Sequence, residues 1–449
     1  MLCVKNGDVL FWIWLSEALG QCSRSFRRLI ELYENPYDLF HAEEAEIERI
    51  PGLSDRVRAA LCNKSLSEAS DILDRCEKLG IGLLPYGDEA YPYSLRDLHE
   101  PPILLYYKGN LPDLNRRLCI GMVGTRRMSA YGLRAAYKLG YELALLGAIV
   151  VSGMAAGIDG VSAAAALAAN GSTLAVLGCG VDVVYPSHHA PLYREIEQKG
   201  VLISEYPPGT RPSSYHFPIR NRIISGLAQG TLVVEAGIKS GSLITAKDAV
   251  VQGRDVYALP ANVGNSGSEG TNSLLRDGAK PILCAADIVS NYEYVYAETL
   301  SPEALAKGKE KSEADMPYLE SLGVITLSEK NGKATNQTER YPTAAIRTSP
   351  ERKAQRRGQT AVKEPSLSQT KEQSMPASQR ESQPTPSQIL ASLTPIQLAV
   401  LEMIPDDRAI AADSLAALGY PYGETVAALT MLEIMGLIQK LPGALYKKA

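Results

Sequence analysis

The spacing of apolar and polar residues changes along the chain. Up to about residue 85 the apolar residues recur every three or four positions, which predicts amphipathic helices. From about 115 to 290, short runs rich in Val, Ile and Leu alternate with helical stretches. Near-continuous apolar strands separated by helices are typical of a parallel sheet that is covered on both faces. This pattern predicts an α/β protein with a Rossmann-like core.

The rest of the chain loses this alternation and then becomes compact again. A Ser-, Gln- and Pro-rich stretch is too polar to bury a core, which predicts a flexible linker. Three helical patterns and a hairpin then give the order of a winged helix. We therefore predict four segments: a helical domain over 1–85, a Rossmann-like core over 86–295, a polar linker over 296–390 and a winged-helix domain over 391–449.

The N-terminal helical segment contains a stretch that is typical of nucleic-acid binding. Residues 47–61, "IERIPGLSDRVRAAL", resemble a helix-hairpin-helix, whose Gly brings backbone N–H groups close to a phosphate. A plain helical hairpin explains the same residues.

The segment 391–449 has four basic residues against six acidic ones. This balance favours a winged helix that contacts protein over one that reads duplex DNA.

Charge and cysteine content limit the partners and the compartment. The formal net charge is −4 and the pI is about 5.9, so any site for an anion must be a local patch. Seven dispersed Cys residues, with no CxxC, indicate reduced thiols in a cytoplasmic protein. The apolar N-terminal stretch is interrupted by polar residues, and no span approaches the ~20 apolar residues of a membrane helix. We expect no membrane partner.

Several predicted strands end in Gly and hydroxyl residues. Helix N-termini that follow such loops bind phosphate through backbone N–H groups, with Arg and hydroxyl side chains assisting. The alternative for each loop is a Gly required only by the turn. The sequences match neither GxGxxG nor GxxxxGK[ST], so they predict neither a standard dinucleotide site nor a P-loop. The candidate residues are Gly124, Thr125, Arg126, Ser152, Gly153, Ser240, Gly241 and Ser242.

The stretch "YHFPIRNRIISG", residues 215–226, concentrates aromatic and cationic residues just before a predicted helix. One interpretation is a nucleic-acid or phosphate site. Together with Arg126 and the Gly-rich loops, Arg220 and Arg222 favour a site for an anion. Ordinary loop packing is the alternative.

No catalytic set emerges from the sequence. The candidate Ser residues have no evident His and Asp partners, and neither the five His nor the seven Cys show metal-ligand spacing. His188 and His189 follow "YPS" in a predicted loop, where we expect them to be solvated. We therefore expect no catalytic residue, no metal and no cofactor.

Eight ordered motifs together resemble the DNA-processing protein A family, also called DprA or Smf. The resemblance covers about 85–290 closely, and the helical N-terminus and the winged helix also fit it. The motifs are "MVGTRRMSAYG", "VVSGMAAGID", "LAVLGCGVDVVYP", "LISEYPPG", "FPIRNRIISGL", "VVEAGIKSGSLITAKDAV", "GRDVYALP" and "EGTNSLLRDGA".

The resemblance implies a non-enzymatic protein that binds single-stranded DNA, protects it during natural transformation and loads the RecA recombinase onto it. It also implies homodimers formed through the Rossmann-like core. By resemblance, Gly124, Thr125 and Arg126 would hold phosphate, and Phe217 would stack on a base. Arg220 and Arg222 would hold the backbone, and Asn221 would hold the loop or contact a phosphate. These roles agree with the need of single-strand binders for cations and aromatic faces.

The chain departs from the family at three positions. Ala156 stands where the family usually has Arg, and Ala163 where it usually has His, which removes a charge and a polar group expected near the pocket rim. Ala261 replaces a Gly after "VYALP".

Two other functions remain open. The first is a nucleotide-processing enzyme of the lonely-guy type, for which Glu235 would be a candidate residue. No Gly-Gly-x-Gly-Thr-x-x-Glu sequence follows a strand, which weakens this alternative. The second is a transcription factor acting through the winged helix, which that segment's acidic balance disfavours.

Overall fold

The computed structural model describes residues 6–305, 313–327, 334–335, 393–405, 410–411, 428–429, 432, 437–441 and 445–448. Residues 1–346 and 347–449 form two separate compact units.

The first unit begins with six helices, as the apolar periodicity predicts. Trp12, Ile13 and Phe26 are buried at the centre of their cluster, which continues onto Leu104 and Tyr106 of the sheet. The helical segment is thus packed against the core. The helices are α1 (Asn6–Leu19), α2 (Phe26–Tyr33), α3 (Pro36–His41), α4 (Glu44–Arg49), α5 (Asp55–Cys62) and α6 (Ser67–Leu79).

The core is a nine-stranded sheet in the order β1-β2-β6-β5-β4-β3-β7-β8-β9. Strands β3 to β9 are mutually parallel, which confirms the predicted Rossmann-like sheet. The sequence did not predict the antiparallel pair β1 and β2 at one edge. The strands are β1 (Gly82–Pro85), β2 (Leu104–Gly109), β3 (Cys119–Val123), β4 (Ile149–Ser152), β5 (Ser172–Leu177), β6 (Val201–Ser204), β7 (Gly230–Val233), β8 (Asp255–Ala258) and β9 (Lys280–Pro281).

Helices cover both faces of this sheet. Alternate residues of each strand point to opposite faces, so Ile120 joins the apolar cluster of α8, α9 and α10, and Cys119 joins that of α11 and α12. The central strands are buried on both sides for this reason, and their runs read as continuously apolar. The helices are α7 (Tyr93–Arg96), α8 (Ala130–Leu145), α9 (Ile158–Ala168), α10 (Ala190–Lys199), α11 (His216–Leu227), α12 (Ser242–Val251), α13 (Glu269–Arg276) and α14 (Ala286–Val289).

The predicted linker begins later than residue 296. Helix α15 (Met316–Ser321) and the residues after it pack against the core, where Leu319, Val324 and Ile325 are buried in the α8–α10 cluster. The sequence pattern does not predict a folded segment here, because the residues around these apolar positions are polar. Two short strands follow, β10 (Thr326–Leu327) and β11 (Ala334–Thr335). Residues 296–305 and 313–315 of the predicted linker are also described, and the rest of it lies outside the described residues.

The described part of the second unit fits the predicted winged helix. Helix α16 (Pro395–Met403) opens with a capping box in which Thr394 and Gln397 bond each other's backbone N–H groups. The strands β13 (Ile438–Leu441) and β14 (Leu445–Lys448) form the predicted hairpin, and β12 (Ile410–Ala411) pairs with β14. Most of the second and third predicted helices lies outside the described residues.

Candidate functional site

A groove opens at the carboxyl ends of the parallel strands, where the strand order reverses. Strands β4, β5 and β6 extend to one side of β3, and β7 returns to the other side. In open α/β sheets such a switch point is where ligands bind. This switch-point groove encloses about 540 Å³. Its lining includes the predicted residues Gly124, Thr125, Arg126, Phe217, Arg220, Asn221, Ser240, Gly241 and Ser242.

A smaller side recess of about 200 Å³ adjoins the groove. Phe217, Arg126 and Arg220 line both cavities, so the two meet at the Phe217 ring. The predicted Gly153 lines only the recess. The other main walls of the side recess are Ala155, Ala156, Leu177, Gly178, Cys179, Tyr185, Pro186 and His188.

The loop that follows β3 is held by the buried residue Glu235. The Glu235 backbone carbonyl accepts a hydrogen bond from the Thr125 N–H (2.7 Å), and its Oε2 accepts one from the Ser129 N–H (2.8 Å). Ser129 Oγ then caps α8 by accepting from the Gly132 N–H (3.0 Å). The backbone of this loop is therefore fixed, while Arg126 extends from it as an exposed side chain. Glu235 has a positioning role here.

Gly157 allows the loop after β4 to meet the loop after β3. Its φ is +85°, and a Cβ there would overlap the Thr125 carbonyl oxygen and lie 2.8 Å from the Arg126 backbone. The next residue, Ile158, donates its N–H to that same carbonyl (3.2 Å). Only Gly fits this close approach.

Helix α11 crosses the groove and presents one face to it. Phe217, Arg220, Asn221 and Ile224 line the cavity, with the i, i+3, i+4, i+7 spacing of one helical face. The guanidinium carbon of Arg126 lies 5.7 Å from the centre of the half-buried Phe217 ring, and that of Arg220 lies 5.9 Å away. Both are cation–π distances. The groove thus combines an aromatic ring with two cations.

Arg220 is a fixed part of the groove wall. Its Nη1 donates to the carbonyl oxygens of Gly153 (2.8 Å) and Val176, and its Nε donates to Asn221 Oδ1 (3.2 Å). Burial lowers the pKa of the Arg220 guanidinium to about 10, although the nearby Asp159 carboxyl opposes this shift. Burial likewise raises the pKa of Asp159, and Arg220 opposes that rise. The two charges partly compensate each other.

Arg222 lies away from the groove, which corrects the prediction that it clamps a phosphate. Its Nη2 pairs with both carboxylate oxygens of the buried Glu205 (2.6 and 2.5 Å). Its Nη1 donates to the Glu100 carbonyl (2.7 Å), and its Nε lies 2.8 Å from Cys22 Sγ. These partners join α11 to the N-terminal helical segment and to the loop after β6. Arg222 therefore has a structural role.

Ser152 also has a structural role. Its buried hydroxyl donates to the Met122 carbonyl (2.7 Å), which ties β4 to β3 beneath the groove. The prediction that it contacts a ligand is therefore revised. The N–H of the next residue, Gly153, donates to Asp159 Oδ2 (3.1 Å), and its carbonyl accepts from Arg220. Gly153 presents only its backbone to the side recess.

Ser240, Gly241 and Ser242 form the start of α12 at the opposite side of the groove. Gly241 is the N-cap residue, and the hydroxyls of Ser240 and Ser242 are 2.8 Å apart. The Ser242 N–H donates to Ser240 Oγ (3.4 Å), and the Leu243 and Ile244 N–H groups donate to the Ser240 and Gly241 carbonyls, so these groups are already engaged. The helix dipole and the two hydroxyls are what this end of the groove offers to a phosphate.

The histidines and the substituted alanines differ from expectation. His189 is fully buried, with Nδ1 3.1 Å from the Met154 carbonyl, so the prediction that it is solvated was wrong. His188 is half-buried and lines the side recess. Ala163 is buried in the apolar core rather than near the rim. Ala156 does line the side recess, where its small side chain leaves space. Tyr185 also lines the recess, although no sequence pattern marks it as a site residue.

Within the described ranges, no group of three or more His, Cys, Asp and Glu side chains could hold a metal ion. Over those same ranges, no helix is long and apolar enough to cross a membrane.

The fold and the groove define a parallel α/β protein with an arginine-lined cleft at its switch point, followed by a winged-helix domain. The family model described as DNA recombination-mediator protein A matches residues 82–293, and a model of the DprA winged-helix domain matches residues 381–444. The chain belongs to the DNA-processing protein A (DprA/Smf) family.

Individual relatives agree with this assignment. The DNA processing protein DprA of Bacillus subtilis is 39% identical over 238 residues, which cover 52% of this chain and 80% of that protein. That of Streptococcus pneumoniae R6 is 41% identical over 209 residues, which cover 46% of this chain and 73% of that protein. An X-ray structure of DNA processing protein A from Streptococcus pneumoniae has a TM-score of 0.56 at 33% identity, covering 63% of this chain and 97% of that one.

Proposed function

We propose that this protein is a non-enzymatic mediator that binds single-stranded DNA in the switch-point groove. The observation that carries the proposal is the arrangement at one helix face, where Arg126 and Arg220 flank the Phe217 ring beside the start of α12. Single-strand binders need a cationic track and an aromatic surface for bases. This groove supplies both the cations and the aromatic ring, although the net charge of the whole chain is negative.

Each proposed contact has a distinct role. The exposed Arg126 neutralises a phosphate, the α12 start holds a second one, and Phe217 stacks on a base. Arg220 and Asn221 shape the wall between these positions. Arg222 and Ser152 are left out of the proposed contacts because both are engaged within the fold.

A salt titration tests this proposal. Fluorescence anisotropy with a labelled dT oligonucleotide should show tighter binding than with a duplex of equal length. Affinity should fall with rising NaCl, because binding releases counterions. The Arg126→Ala variant should bind more weakly, with its log–log salt slope smaller by about 0.7. Arg134→Ala removes an exposed Arg of α8 outside the groove, and this control should leave the slope unchanged. Equal slopes for both variants would exclude the groove as the DNA site.

The finer biological role forms part of the same proposal. We infer that the protein protects incoming DNA and loads RecA during natural transformation or recombination in the cytoplasm. The family resemblance and the recombination-mediator description of the matching model support this role. A strand-exchange assay should show RecA displacing a single-strand-binding protein faster when this protein is present. An unchanged rate would contradict the loading role.

We also propose a homodimer through the core. Val250 and Val251 at the end of α12 are exposed, so apolar surface is available on this helix. Light scattering should give a dimer for the full chain and a monomer for the Val251→Lys variant. A monomer in both cases would contradict the proposal.

The rival enzymatic function has less support. In a nucleotide-processing enzyme of the lonely-guy type, Glu235 would act on a bound nucleotide. Here its carboxylate is buried and accepts a hydrogen bond from the Ser129 N–H. Incubation with nucleoside monophosphates should therefore release no free base; base release by the wild type that is lost in Glu235→Gln would favour the enzyme.

A further inference from the structure

A second large groove, of about 1010 Å³, lies along β1 at the edge of the sheet. Leu83 and Leu84 are neighbours on β1, so their side chains point to opposite faces of the sheet. Leu83 packs with the N-terminal helical cluster, and Leu84 packs with the cluster of α11 and α12. Both residues line this edge groove, which therefore runs over the end of the sheet where the two faces meet.

The edge groove has an apolar surface. Ile81 and Leu84 are buried at its floor, while Leu73 of α6 and Leu111 of the loop after β2 are half-buried on its walls. Tyr93 also lines it and leaves 59% of its surface exposed. Apolar surface of this kind, bordered by polar residues, is typical of an interaction site.

The charged side chains around the edge groove are mostly acidic. Those that line it are Glu77, Asp88, Glu89, Asp113 and Arg116. Arg116 already pairs with Asp113 (3.7 Å). Within the described residues, neither Glu77 nor Glu89 has an ion-pair partner. Charge complementarity therefore favours a partner that presents cations beside apolar side chains, and it disfavours DNA.

The backbone of β1 is poorly suited to the addition of a strand. The Tyr86 N–H donates to the Ile103 carbonyl (3.0 Å), so in this antiparallel register the backbone groups of Leu83 and Pro85 point away from β2. Pro85 has no N–H, which leaves Leu83 as the one residue of β1 that offers both a donor and an acceptor at this edge. A strand would gain few backbone hydrogen bonds here.

A helix has no such requirement. It satisfies its own backbone and docks through apolar side chains at i, i+3, i+4 and i+7. The volume of the edge groove corresponds to about two turns of a helix that is about 10 Å across.

We propose that the edge groove is a docking site for a basic amphipathic helix of a partner protein. The apolar face of that helix lies against Leu73, Leu83 and Leu111, and its Lys or Arg side chains meet Glu77 and Glu89. The edge groove shares no lining residue with the switch-point groove, so the inference does not depend on the proposed DNA binding.

Fluorescence anisotropy with labelled peptides and the full chain tests the proposal. The probe is a Leu/Lys peptide of about four helical turns, with Leu at helical spacing. One comparison peptide has the same composition with Leu and Lys in strict alternation, which is a strand pattern, and another has Glu in place of Lys. We expect the helical Leu/Lys peptide to bind more tightly than both.

Charge variants locate the binding. Glu77→Gln combined with Glu89→Gln should weaken binding of the helical Leu/Lys peptide by about two- to thirtyfold, because two exposed ion pairs are lost. The matched control, Glu31→Gln combined with Glu48→Gln, changes two exposed Glu residues outside the groove and should keep the wild-type affinity.

A second variant tests the apolar contact. Tyr93→Ala should also weaken binding of the helical Leu/Lys peptide, whereas Tyr294→Ala, at a position that is 98% exposed outside the groove, should not. Melting temperatures should match the wild type, because each substituted side chain is exposed.

Four outcomes would overturn the proposal. The first two are equal affinity for the helical and alternating peptides, and wild-type affinity in both groove variants. Tighter peptide binding after deletion of residues 1–5 would assign the groove to the chain's own N-terminus. A dimer that is lost in the Glu77→Gln/Glu89→Gln variant would assign it to a second copy of the chain.

Discussion

The role of Arg222 can be decided by one substitution. Arg222→Met keeps the length of the side chain but leaves the Glu205 carboxylate without its cation. In the folded protein that carboxylate is buried, and both of its oxygens pair with Arg222 Nη2 at 2.6 and 2.5 Å. Burial already raises the pKa of Glu205, and Arg222 opposes that rise. Removing the cation therefore leaves an uncompensated buried acid.

The expected loss of stability is large. Breaking a buried ion pair by removing one partner costs about 3–5 kcal/mol of unfolding free energy. Typical domains have only about 5–15 kcal/mol in total, so Arg222→Met should unfold at much lower urea. Removing both charges avoids the isolated carboxylate. The double variant Arg222→Met/Glu205→Leu should therefore recover most of the loss.

The assay is urea denaturation followed by circular dichroism, combined with a salt titration of DNA binding on the folded fraction. Arg222→Met should be strongly destabilised while its salt slope matches the wild type. Arg126→Met should show the opposite pattern, with normal stability and a smaller slope. Wild-type stability in Arg222→Met together with a slope smaller by about 0.7 would mean that Arg222 contacts DNA after all.

Two further predictions concern the support of the groove. Gly157→Ala should cost about 1–3 kcal/mol from its backbone conformation alone and weaken DNA binding by displacing the Arg126 loop. Gly241→Ala, with open space around it, should leave stability unchanged and serves as the stability control. Equal melting temperatures of the two variants would contradict this. Burial lowers the pKa of His189 to about 4, so the unfolded chain binds its proton first. The unfolding free energy should then fall by up to about 3 kcal/mol between pH 6.5 and 4. His189→Asn should flatten that dependence in urea titrations, and an unchanged profile would refute the assignment.

Much of the fold was predictable because parallel strands leave a strong pattern. Strands such as β3 and β4 are buried on both faces, so their runs are almost purely apolar, and Gly or Ser residues follow directly. The antiparallel strands β1 and β2, of which β1 forms the edge, lack this pattern, since part of their surface faces solvent. The parallel direction of the strands also predicts that the loops after them lie near each other, at the carboxyl edge of the sheet.

The prediction for Arg222 was wrong because the direction of its side chain was not considered. The sequence pattern places residues 215–222 just ahead of a helix, but α11 already begins at His216. On a helix, residues two positions apart point in different directions, whereas those three or four apart share a face. Phe217 therefore faces the groove with Arg220, and Arg222 cannot. Helical spacing applied to this stretch would have separated the two arginines from the sequence alone.

The charge balance of the groove sets how strongly salt should weaken binding. Arg220 is buried beside Asp159, and the two influence each other's pKa in the sense expected of opposite charges. Its cation therefore adds little net charge for a phosphate. The exposed Arg126 and Arg127 supply the remaining side-chain charge of the groove. Two neutralised phosphates on a single strand correspond to a log–log slope of about −1.4. A steeper slope in the full chain than in residues 1–346 would assign the additional phosphate contacts to the second unit.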